Sequence, residues 1–189
     1  MAEKPLPTPE VLRQLLRYEP ETGKLFWRER GVEWFKAAKN FSAETNCRTW
    51  NRAHAGQETF VRICRNGYLL GTLFDAKFLA HRVAWAMHYG EWPSSEIDHV
   101  NGDRRDNRLA NLRRASRSQN MMNRGKSPQN TSGFKGVSYH KQRGRYRAEI
   151  TVRGRSIHLG LFDSKYDAAE AYNRAAEKYH GDFANTGLN

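Results

Sequence analysis

The sequence is poor in cysteine: only Cys47 and Cys64 are present, with no Cys-x-x-Cys pair. That excludes a structural zinc ribbon for want of thiolates, and both thiols are expected to be reduced. No apolar run reaches transmembrane length and the N-terminus has no signal-peptide core. The expectation is a soluble cytoplasmic protein that does not enter a membrane. Acidic residues are scarce where basic ones crowd. Residues 101–155 hold 15 basic and 3 acidic side chains, and the remainder of the chain is balanced at 17 of each. The whole net charge of +12 therefore sits in one stripe, which points to a polyanion whose counterions are released on binding. Within the stripe arginine dominates and aromatics are interleaved, which favours nucleic acid over a solvated face.

With 189 residues there is room for two small units, each able to bury a core. Residues 1–7 read as a loose tail. Thr8-Pro9-Glu10 is a helix start, the helix running to about Arg17 and burying Val11, Leu12, Leu15 and Leu16. A turn over Tyr18–Thr22 leads to a strand at Lys24–Arg28. From Glu29 to Gln57 the pattern weakens, and Trp34, Phe35, Phe41 and Trp50 are expected to pack rather than to touch a ligand. Thr59–Cys64 and Tyr68–Leu73 form a hairpin on a two-residue Asn66-Gly67 turn, and Lys77-Phe-Leu adds an edge. A helix over Ala80–Tyr89 ends at Gly90. Its His81 and His88, two turns apart, are read as packing or phosphate-contacting residues.

The densest chemistry follows. Asp98 and His99 are adjacent, Asn111 lies twelve residues past the histidine and Asn120 nine further on. A histidine has the pKa of a general base, and a carboxylate and an amide oxygen suit a hard divalent cation. Ile97–Val100 and Asn111–Ala115 are predicted strands, and Ser116 caps a short helix carrying Asn120. The run Glu96-Ile-Asp-His-Val-Asn-Gly-Asp103, then Asn107-Arg-Leu-Ala-Asn-Leu-Arg113, then Ser118-Gln-Asn120 resembles the HNH endonuclease motif of the phage and intron branch. The resemblance implies a ββα-metal (HNH, or His-Me finger) domain with one Mg2+ or Mn2+ ion. It makes Asp98 and Asn120 metal ligands, His99 the base and Asn111 the brace of the loop and imidazole. The nominal last histidine of the motif is Asn120 here, which favours magnesium or manganese over zinc. Arg104, Arg105, Arg108, Arg113 and Arg117 would hold the phosphate backbone.

Residues 125–133 (Gly-Lys-Ser-Pro-Gln-Asn-Thr-Ser-Gly) read as a linker, giving a nuclease domain at 1–124 and a second domain at 134–189. The second holds three strands, Phe134–His140, Arg145–Val152 and Arg155–Phe162. The middle one presents Arg145, Arg147, Glu149 and Thr151 on one face and Tyr146, Ala148, Ile150 and Val152 on the other. Ser164 with Asp167 starts a helix in capping-box fashion, its stripe being Ala168, Ala171, Tyr172, Ala175 and Tyr179. Gly136-Val, Tyr146-Arg-Ala-Glu-Ile, Leu159-Gly-Leu-Phe-Asp and Asp167-Ala-Ala-Glu-Ala-Tyr closely resemble the plant APETALA2/ethylene-response-type domain, which lays a three-stranded antiparallel sheet, packed on one helix, in the DNA major groove. Matching positions imply that Arg143, Arg145, Arg147 and Glu149 face DNA, with Arg153 and Arg155 near phosphates. The family's arginine after Gly-Val is Ser138 here, and its tryptophans are Arg143 and His158, so the plant target sequence does not carry over.

The sequence and its resemblances thus imply an α+β, site-directed DNA endonuclease acting on double-stranded DNA; the HNH resemblance implies a monomer of mobile-element, homing or phage type that nicks one strand or cuts both. If phage-encoded, it works in the host-cell cytoplasm. The alternative is a non-catalytic transcriptional regulator with a degenerate HNH scaffold. An RNA-binding role is disfavoured because the sheet lacks a base-stacking aromatic face.

Overall fold

The computed structural model describes residues 5–186, so part of the expected tail, residues 1–4, lies outside the described residues. The chain divides into two compact units: one runs up to His99 and includes Asp103–Arg113, the other holds Val100–Gly102 and the chain from Arg114 onward. The described residues form small antiparallel sheets and five α-helices.

In the first unit, Thr8 accepts from Val11 N at 3.3 Å and caps α1 (Pro9–Leu15). The helix stops two residues short of the expected Arg17 because Leu16, fully buried, turns extended and begins β1 (Leu16–Glu19). That strand pairs with β2 (Lys24–Trp27), from Leu16 opposite Trp27 to Glu19 opposite Lys24, which confines the expected turn to the residues between them. The weakly patterned stretch contains α2 (Ala43–His54), capped by Ser42, with none of its residues fully buried. Trp50 meets Trp27 edge-on at 5.5 Å and Phe35 at 6.0 Å, and Trp34 lies 6.1 Å from Phe74, so these aromatics pack as expected. Phe41 differs, being 58% exposed.

The single strand expected over Thr59–Cys64 is broken in two. β3 (Glu58–Thr59) pairs with β2, whereas β4 (Arg62–Ile63) pairs with β5 (Leu69–Leu73). Phe60 sits between them at φ 59° with its side chain buried, so burial of the ring turns the strand from one sheet to the next. Ile63 faces Leu69, so residues 64–68 form a longer loop than the expected two-residue turn, closed by Gly67 N to Cys64 O at 2.8 Å. β6 (Ala76–Leu79) completes this sheet and α3 (Ala80–Tyr89) follows, ended by Gly90 in the left-handed region. Leu12, Leu15, Leu16, Leu25, Val83 and Met87 form the core between these elements. Each such side chain contributes about 1.5–3 kcal/mol of burial. β7 (Glu96–His99) and β8 (Leu112–Ala115) pair as a two-stranded sheet, and Ala84, Trp85, Ile97 and Leu112 form a second cluster. Asn111, expected to open β8, instead ends a 3-10 turn.

In the second unit, Ser116 and Gln119 form a full capping box at α4 (Arg117–Asn123). Residues 125–133 contain no helix or strand, but Asn130 and Ser132 bind the Phe134 and Val137 carbonyls at 2.8–3.2 Å and so tie the loop to the sheet that follows. β9 (Val137–His140), β10 (Arg145–Val152) and β11 (Arg155–Phe162) form that sheet with β10 central. α5 (Lys165–His180) covers one face, through Val137, Ala148, Ala168 and Ala169 and through Ile150, Tyr172, Ala175 and Ala176. Ser164 caps it by accepting from Tyr166 N, in place of the expected box with Asp167. The buried stripe is rotated from the expected one: Ala168, Tyr172 and Ala175 are joined by Ala169, Ala176 and His180, while Ala171 is half-buried and Tyr179 is exposed. Gly136, at φ 69°, permits this closeness, since a Cβ there would stand 2.1 Å from the Tyr172 ring.

Candidate functional site

Asp98 and His99 end β7 and are both 4% exposed. The Asp98 Oδ2 atom accepts from Arg113 Nε and Nη2 on β8, each at 2.8 Å, so a buried carboxylate is matched by a guanidinium. The His99 ring is walled by His81, edge-on at 5.1 Å, and by Tyr68 at 5.8 Å. Its Nε2 lies 3.1 Å from Asn107 Oδ1. Burial pushes the His99 pKa down, opposed by the Asn107 contact and by the nearby carboxylate of Asp98. His81 is pushed further, to about 3, by burial first and then by His99 and Arg82. It is therefore a neutral packing residue, one of its expected roles, while His88 is exposed against Tyr89.

The loop between β7 and β8 is closed by its own residues. Asn111 Nδ2 donates to Asp106 O at 2.8 Å, and Leu109 N donates to Pro20 O at 3.0 Å. Tyr18 donates its hydroxyl to Asn107 O at 2.8 Å. Gly23, at φ 74°, lets the β1–β2 turn approach this loop: a Cβ there would lie 2.4 Å from Arg108 N. Of the arginines expected on phosphate, Arg104 stacks 5.0 Å over Tyr68 and donates to Asn66 O, Arg105 pairs with Asp103 at 3.4 Å, and Arg108 pairs with Asp106 at 2.6 Å.

Asn120 is half-buried on α4 in the second unit. Also in that unit, Arg117 and Arg153 line one cavity of about 450 Å³ with Lys135, whose ammonium donates to Met122 O at 2.6 Å and is pushed by burial down to about 8. β10 alternates as expected, with Arg145, Arg147 and Thr151 exposed, Glu149 half-buried, and Ala148 and Ile150 buried. Arg145 pairs with Asp163 at 2.8 Å, and Arg147 with Glu149 at 3.5 Å. Glu149 also accepts from the Ser156 hydroxyl. Arg143 is exposed in the 3-10 turn between β9 and β10, Arg155 is exposed at the start of β11, and Arg153 forms the two-residue turn with Gly154, both at positive φ.

Residues 78–122 match the model of the HNH endonuclease family. Over 105 residues the chain is 33% identical to Protein 3.8 of Escherichia phage T7, an overlap covering 55% of this chain and 86% of that one. The chain belongs to the HNH endonuclease family. Residues 132–182 of this HNH protein match an AP2 domain, so the two domains follow in that order. There it is 39% identical over 51 residues to AP2-like ethylene-responsive transcription factor TOE2 of Arabidopsis thaliana and to APETALA2-like protein 2 of Oryza sativa subsp. indica. Those overlaps span 27% of the HNH protein but only 10% and 12% of the plant proteins. No solved structure matches.

Three contacts of His99 escaped the sequence. Asn107 lies inside the motif, yet no ligand spacing marks it, and only the fold brings its amide to the imidazole. His81 and Tyr68 come from other elements, and no local pattern connects them to His99. Among the described residues no group of three or more His, Cys, Asp or Glu could hold a metal ion, and no helix is long and apolar enough to cross a membrane.

Proposed function

We propose that this HNH protein is a metal-dependent, site-directed DNA endonuclease in which residues 1–124 cut, residues 125–133 link, and residues 134–189 bind the duplex. The observation that carries the reading is the state of His99: buried, lowered in pKa and touched at Nε2 by an amide oxygen beside a buried carboxylate. A histidine so placed is neutral near pH 7 and able to accept a proton from water. Asp98 and Asn120 would hold the ion, with Asn111 bracing the loop, in the ββα-metal arrangement of the family. One carboxylate and one amide suit Mg2+ or Mn2+, which keep most of their shell as water and phosphate oxygen. When bound, such an ion supplies charge stabilisation for the phosphorane-like transition state and the leaving 3′ oxygen. The loop arginines would hold the backbone on either side of the cut, and Arg143, Arg145, Arg147, Glu149, Arg153 and Arg155 would meet double-stranded DNA. The protein would act as a monomer in the cytoplasm.

The test is cleavage of supercoiled plasmid and long phage-type DNA with magnesium, with EDTA and with His99→Ala. Nicked or linear product that needs both the metal and His99 is expected, the substitution lowering the rate by about 100- to 10,000-fold while the fold is kept. One observation favours a second reading, a DNA-binding regulator: Arg113 engages Asp98 Oδ2 where a ligand is needed. Tight binding of a cognate site without any cutting would choose it.

A further inference from the structure

We propose that Asn107 is the positioning residue for His99, fixing its ring orientation and its tautomer; the assignment rests on the nuclease reading above. Asn107 is 1% exposed, and its Oδ1 lies 3.1 Å from His99 Nε2. An amide oxygen only accepts, so it places the imidazole proton on Nε2 and the ring lone pair on Nδ1. Asn111 donates Nδ2 to Asp106 O at 2.8 Å and so shapes the same loop.

The surroundings of Asn107 are built to hold it. Its backbone carbonyl accepts from Tyr18, its neighbours Arg108 and Leu109 are met by the β1–β2 turn, and the ring it orients is walled by His81 and Tyr68. Its Nδ2 is buried with no hydrogen-bond partner. Packing alone would be served better by leucine, which has the same number and branching of side-chain heavy atoms and no amide to desolvate. The asparagine is explained by its oxygen.

Long-range 1H–15N spectra of the full-length protein labelled at histidine, with His99 assigned by substitution, read the tautomer directly. They are paired with cleavage kinetics for Asn107→Leu and Asn107→Asp. The Nε2–H tautomer is expected in the unsubstituted protein. Asn107→Leu should admit the Nδ1–H form and lower kcat by about 100-fold with KM for DNA unchanged. Asn107→Asp, which still accepts from Nε2, should keep the tautomer and restore most of kcat. An Nδ1–H tautomer in the unsubstituted protein, or an unchanged tautomer and kcat in Asn107→Leu, overturns the proposal. If Asn107→Leu does not fold, Asn107→Asp decides: a kept Nε2–H tautomer supports the assignment and a lost one overturns it. Absence of any cutting by the unsubstituted protein that nonetheless shows the Nε2–H form removes the nuclease reading and the catalytic role with it, while the orientation stands.

Discussion

His81 makes the residue scale measurable without any substrate. Its ordinary pKa is 6.5, and burial in the folded protein takes it to about 3. Between those values the unfolded chain binds a proton that the folded chain does not. Its contribution to stability is therefore complete above about pH 6.5 and is lost as pH falls towards 3, at roughly 1.4 kcal/mol per pH unit. Urea unfolding at pH 7 and pH 4.5 should show the protein losing about 2–3 kcal/mol more than His81→Phe does; parallel losses would show that His81 protonates freely in the fold. Arg113 allows a second measurement. Arg113→Met would leave Asp98 buried beside an apolar chain, and should cost roughly 3–5 kcal/mol in the same assay at pH 7. The HNH family was legible because the spacing of Asp98, His99, Asn111 and Asn120 is written along the chain. Asn107 was not, because its role depends on a loop that Tyr18, Pro20 and Gly23 hold from nearly ninety residues away.

At the scale of elements, caps and turns were the most readable features, because Thr8, Ser116 and Gly90 act on groups within four residues of themselves. Strand partners were not. The alternation over Thr59–Cys64 is the pattern of one strand, but the two halves serve different sheets, and only burial of Phe60 shows why. In the same way α5 was expected from its alanines, while the rotation that buries His180 and exposes Tyr179 is set by the sheet it covers. Gly136 joins helix and sheet. Gly136→Ala would force a methyl group to 2.1 Å from the Tyr172 ring and 2.7 Å from Glu149 O at a backbone angle that disfavours any side chain. The expected result is a loss of DNA binding together with a lowered melting temperature. A binding constant and a melt both unchanged would mean that this contact relaxes at little cost.

For the whole molecule, the basic stripe covers both the HNH motif and the AP2-type sheet, so charge alone cannot divide cutting from binding. Chemistry can. Arg147 and Arg155 are exposed on the sheet, far in sequence from His99, whereas His99 is buried. Binding measured against salt should therefore weaken steeply for the unsubstituted protein, as phosphate neutralisation requires. The double variant Arg147→Ala and Arg155→Ala should bind more weakly and reduce the slope of log K against log salt by about one for each phosphate contact removed. At saturating DNA this variant should cut at close to the original rate, while His99→Ala should bind with unaltered affinity and salt slope and fail to cut. If the arginine variant instead lost its rate at saturation, the sheet would be setting the geometry of the cut and not only where the protein binds.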